Sequence, residues 1–84
     1  MYFVYLLKNP KEHLYVGVSQ NISLRLKRHK LGQAAEFTKR NKNFVVVYSE
    51  DFSTLIEARR REKQIKGWRR EKKDNLIKFG KPTI

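Results

Sequence analysis

At 84 residues the chain is long enough for one compact domain with a single core, and too short to add a separate specificity module to it. No cysteine is present, which excludes a disulfide framework and any thiolate zinc site, and the two histidines, His13 and His29, are too few to build a metal centre alone. Twenty Lys and Arg stand against eight Asp and Glu, a formal net charge of +12 whose self-repulsion a polyanion would relieve.

Residues 2 to 7, YFVYLL, are β-branched, aromatic and aliphatic, and LYVGVS follows at 14 to 19 after the polar stretch KNPKEH. This pattern predicts a β-hairpin. Asn21 is placed to cap a helix whose stripe is Ile22, Leu26 and Leu31 and which Gly32 would end. Arg25 and His29, four apart, share another face of it. The segment from 33 to 43 is ambiguous. The run FVVVY at 44 to 48 predicts a strand covered on both faces. Thr54 and Glu57 have capping-box spacing and open a second helix running to Lys66, where Gly67 allows a break. A third, basic helix is predicted from Trp68, carrying Leu76 and Phe79 and fading into GKPTI. The fold class is therefore α/β in the α+β sense: a three-stranded, mainly antiparallel sheet flanked by helices, in the order β-β-α-β-α-α, as one domain over residues 1–84.

In the second helix, Leu55, Ala58 and Ile65 form a core-facing stripe whose missing member, position 62, is a glutamate. A carboxylate on an apolar seam costs desolvation energy unless it is paired or binds a metal, so Glu62 is either balanced by nearby arginines or a metal ligand. Arg25 reads as a solvated charge or as a phosphate contact near Gly17, where a phosphate could approach the backbone closely. Tyr5 and Tyr15 read as packing aromatics, and His29 as a surface residue or a general base.

The triplets FVY at 3 to 5 and YVG at 15 to 17, followed by SQNISLRLKRH, resemble the paired strand motifs and first helix of GIY-YIG nucleases. The stretches GQAAEFTK, EARRREKQIKGW and RREKKDNLI look like the small stand-alone members of that family, so the resemblance runs over about residues 2 to 77. It implies the GIY-YIG fold and a phosphodiester-cutting activity dependent on a divalent ion, Mg2+ or Mn2+. By the same resemblance Tyr5 and Tyr15 match the motif tyrosines, Arg25 the catalytic arginine, His29 a position held by histidine or tyrosine, Glu62 the metal ligand, and Asn75 a supporting asparagine. Two departures stand out. Phe3 replaces the glycine of the family name, and Val18 occupies a position where excision-repair members carry a lysine, which leaves Tyr15 or His29 as the base. The site is expected to converge on one shallow concave face.

Between Glu57 and Lys73 the chain holds nine Lys or Arg against three Glu. Arg28, Lys39, Arg59, Arg60, Lys63, Lys66, Arg69 and Arg70 are the expected phosphate contacts, made without a base-reading helix face. An anionic membrane would ask for a wide apolar face opposite the basic one, which Gly67 and the interrupted stripe do not offer. No apolar run spans a membrane and no leader pattern opens the chain, so a soluble, cytoplasmic protein is expected, by default a monomer. The reading is an endonuclease of low sequence specificity acting on DNA rather than RNA, with a place in DNA repair. Its rival is a non-enzymatic nucleic-acid-binding module on the same fold. A basic protein of the ribosomal kind would explain the charge but not Glu62.

Overall fold

The computed structural model describes residues 1–24, 27 and 44–81. Strands β1 (Tyr2–Lys8) and β2 (Leu14–Ser19) pair antiparallel, with Tyr5 opposite Gly17 and Leu7 opposite Tyr15. Between them Glu12 holds a positive φ of 66°, while the buried Asn9 closes the loop by accepting from the His13 amide at 2.8 Å. A helix, α1, opens at Ile22 and is described at residues 22–24 and 27. Asn21 caps it, its side-chain oxygen accepting from the Leu24 amide at 3.0 Å, as the sequence predicts.

Strand β3 (Val45–Phe52) pairs antiparallel with β1, so the sheet order is β2-β1-β3. Helices α2 (Leu55–Lys66) and α3 (Arg70–Phe79) follow. The whole is an α+β fold built on a three-stranded antiparallel sheet, in the order read from the sequence. Thr54 caps α2 by accepting from the Glu57 amide, and its hydroxyl also donates to the Glu57 carboxylate, which is the capping contact the spacing predicts.

The sheet separates two clusters, because successive side chains of a strand point to opposite faces. On one face Val4, Leu6 and Val16 pack against Ala58 and Ile65 of α2 and Leu76 of α3. On the other, Tyr5 and Leu7 pack with Phe44, beside Tyr15 and Ile22.

Four local expectations are corrected. The strand buried on both faces is the central β1, whose Val4 to Leu7 are fully buried; β3 is an edge strand, and its Val45 is 63% exposed. A register shift between Leu6 and Leu7 leaves Val47 as an extra β3 residue, so Val47 and Tyr48 both border the α2 cluster. Leu55, expected in the core stripe, is exposed on the first turn, so the seam is Ala58, Glu62 and Ile65 alone. Trp68 precedes α3 rather than starting it: its amide still bonds back to the Ile65 carbonyl, and Arg69 is the N-cap. Phe79 is exposed beside Lys78, and Gly80, at φ 76°, ends the helix in a left-handed cap.

Candidate functional site

Tyr5 and Tyr15 are brought together by the hairpin, and Gly17 explains how. A Cβ built on Gly17 would lie 2.6 Å from the Tyr5 Oη, 2.7 Å from its Cζ and 3.1 Å from the Tyr15 Cε2. The buried Tyr5 ring thus lies across the β2 backbone at the one position without a side chain, with the Tyr15 ring beside it. The room over Gly17 is therefore filled by a phenol, not left open for a phosphate as the sequence reading supposes.

Glu62 stands on α2, which covers the opposite face of the sheet. Its side chain is 12% exposed; Oε1 lies 3.3 Å from Arg59 Nη1 and Oε2 3.2 Å from Lys66 Nζ. The expectation of one concave face is not met by these three residues, since the phenols and Glu62 belong to different sides of the sheet. Asn75 is half-buried on α3, one residue before the buried Leu76. Arg25, His29, Arg28 and Lys39 lie outside the described residues. Arg59, Arg60, Lys63, Lys66, Arg69 and Arg70 are all exposed; Arg70 also pairs with Asp74 at 2.9 Å.

One cluster escaped the sequence reading. Arg61 donates from Nε and Nη2 to both oxygens of Glu50, each at 2.9 Å, and from Nη1 to Gln64 at 2.7 Å, with its guanidinium 5.0 Å from the centre of the Trp68 ring. The Tyr48 hydroxyl donates to the same Glu50 carboxylate. Burial, then the hydrogen bond to Glu50 and its charge, pushes the Tyr48 phenol up to about 12. Burial alone would raise the Glu50 carboxyl, but the Arg61 and Tyr48 hydrogen bonds and the Arg61 charge outweigh it and hold it below the ordinary value.

This clamp orients α2. At 3.6 residues per turn, Arg61 and Glu62 fall about 100° apart, on opposite margins of the Ala58 and Ile65 seam. Arg61 is tied to β3, so the margin carrying Glu62 turns away from β3, toward the side of the sheet where β2 is the edge. Arg59 and Lys66 sit next outward from Glu62, on the solvent side.

Glu62 alone is not a metal cage, and among the described residues no group of three or more His, Asp or Glu could hold an ion. A lone carboxylate suits an Mg2+-like ion, which takes one or two carboxylates and completes its shell with water and substrate phosphates. It does not suit calcium, which needs six to eight oxygen ligands, or a structural zinc.

Residues 1–75 match the GIY-YIG catalytic domain, and the chain belongs to that family of nucleases. It is 39% identical over 77 residues to UPF0213 proteins of Staphylococcus aureus strains Mu50 and N315, covering 92% of this chain and 94% of theirs. The solution NMR structure of a UPF0213 protein from Bacillus halodurans is similar at 30% identity with a TM-score of 0.60, over 93% of this chain and 84% of that one. No helix among the described residues is long and apolar enough to cross a membrane.

Proposed function

We propose that this chain is a metal-dependent endonuclease that hydrolyses phosphodiester bonds in DNA, with little regard for base sequence and a preference for structures such as a flap, nick or branch. The observation that carries the reading is Glu62: a carboxylate 12% exposed, at the margin of a buried seam, with cations beside it on the solvent side. A divalent ion held there, Mg2+ or Mn2+, would supply charge neutralisation at phosphorus and a more acidic water. Arg25 binds non-bridging phosphate oxygens through its planar fork, and Asn75 supports the site from α3. Tyr15, with the buried Tyr5 packed beside it over Gly17, orients the attacking water, whose proton goes to Tyr15 or His29 while the leaving oxygen takes one from solvent. Because the phenols and Glu62 lie on different sides of the sheet, a DNA strand touching both would pass around the β2 edge. The exposed cations of α2 and the α3 start grip the backbone by charge, which explains indifference to base sequence.

A second reading is favoured by one observation: both Glu62 oxygens already face cations, as a purely structural carboxylate would. On that reading the chain binds nucleic acid without cutting it. Incubation with branched, nicked, single-stranded and duplex DNA, with Mg2+ or Mn2+ and with chelator, separates the two. The endonuclease reading expects metal-dependent cleavage of at least one structured DNA that chelator abolishes. Tight binding of the whole panel with no cleavage in either metal would replace it with the second reading.

A further inference from the structure

We propose that Arg59 and Lys66 gate Glu62. In the free protein they cap its two carboxylate oxygens and weaken its hold on a divalent ion; a nucleic-acid backbone draws both cations onto its phosphates, and the carboxylate then accepts the ion more tightly. The proposal rests on the reading of Glu62 as a metal ligand and assigns these two cations a role beyond simple backbone attraction.

The contrast between the cations of α2 carries the argument. Arg61 is fixed: it makes two parallel hydrogen bonds at 2.9 Å to Glu50, bonds Gln64 and faces Trp68, with a side chain 22% exposed. Arg59 and Lys66 are held loosely. Each faces one oxygen of Glu62, at 3.3 and 3.2 Å, longer than a strong charge-assisted hydrogen bond, and their side chains are 62% and 54% exposed. Pairs of this kind along a helix stabilise little, so phosphates compete for them readily. Glu62 cannot follow, because its side chain is 12% exposed and the seam residues Ala58 and Ile65 beside it are fully buried.

The consequences run in both directions. A divalent ion approaching Glu62 in the free protein meets two positive charges already on its oxygens, which opposes binding. Once phosphates hold those charges, the same carboxylate faces the backbone with its oxygens open. By linkage, whatever factor the polyanion adds to metal affinity, the metal adds to polyanion affinity. Such a gate would suppress metal loading away from the substrate.

The test uses Mn2+ alone as probe and water-proton relaxation of the full chain without nucleic acid, so that no cleavage is involved. Four proteins are compared: the parent, Arg59→Gln with Lys66→Gln, the charge-matched control Arg60→Gln with Lys63→Gln, and Glu62→Gln. Their far-ultraviolet circular dichroism should coincide, since every changed side chain except that of Glu62 lies exposed. The gate expects the Arg59 and Lys66 double variant to bind Mn2+ on the order of tenfold tighter than the parent, from removal of two nearby charges. The control should gain clearly less, and Glu62→Gln should lose the site. Equal gains in double variant and control would mean bulk charge alone and would overturn the gate. So would no gain in the double variant while Glu62→Gln still loses Mn2+. If instead Glu62→Gln binds Mn2+ like the parent, the metal-ligand reading itself has failed.

Discussion

Gly17 shows how a single missing side chain shapes this hairpin. A methyl there would sit 2.6 Å from the Tyr5 hydroxyl, and that ring is fully buried, so it has nowhere to move without disturbing Leu7 and Phe44 on the same face. Gly17→Ala is therefore expected to destabilise the fold by about 1–3 kcal/mol, the usual range for overpacking, and to change the near-ultraviolet dichroism of the tyrosines. Thermal unfolding of the variant checks this, and an unchanged midpoint would contradict the close approach. A second expectation at this scale concerns pH. Glu50 has a lower pKa folded than unfolded, so its contribution is complete above the ordinary carboxylate range and is lost as pH falls through the folded value. Tyr48 has a raised pKa of about 12, so its contribution is complete below the unfolded tyrosine value near 10 and is lost as pH rises toward 12. Glu50→Gln should flatten the acid limb of a stability profile and Tyr48→Phe the alkaline limb; unchanged limbs would mean that neither group is held as described.

At the scale of elements, α2 is oriented from the Arg61 margin, which is tied to β3, while the pairs of Glu62 with Arg59 and Lys66 stay within the helix. Arg61→Met keeps much of the apolar stem but leaves the Glu50 carboxylate, 18% exposed, without its fork. A loss of roughly 2–4 kcal/mol in chemical unfolding is expected, the range for breaking a mostly buried pair with some allowance for solvent. Replacing Glu50 and Arg61 together by Met should cost less than Arg61→Met alone, because no charge is then left behind. Sequence alone reached the local parts of this helix. The Thr54 cap and the seam of Ala58, Glu62 and Ile65 are written in spacings of three and four, which a helix turns directly into faces. The clamp was hidden because Glu50 and Arg61 lie 11 residues apart on different elements and meet only through the β3 register and its bulge. For the same reason the run FVVVY reads as doubly covered: which strand is central depends on sheet order, and β1 and β3 have similar apolar runs. Leu55 falls on the apolar stripe but lies on the first turn, where a stripe can overhang what it packs against. The two sides of the Tyr15 and Glu62 arrangement likewise depended on which face α2 covers, a fact no motif spacing contains.

For the whole molecule, the proposed recognition of nucleic acid rests on charge. With a formal net charge of +12, its affinity for duplex DNA should fall by orders of magnitude between low and moderately high salt. Arg60→Gln or Lys63→Gln should weaken binding to all sequences about equally, in a fluorescence-anisotropy titration over several duplexes. A shift in preference among them would instead require direct base contacts. The central claim, that an acidic residue on a basic helix turns nucleic-acid binding into cleavage, is tested most directly by Glu62→Gln, measured for thermal unfolding and for Mg2+-dependent cleavage on the same sample. The account expects an unchanged fold, DNA binding kept or strengthened, and cleavage reduced by orders of magnitude. A variant that cuts as well per folded molecule as the parent would contradict it.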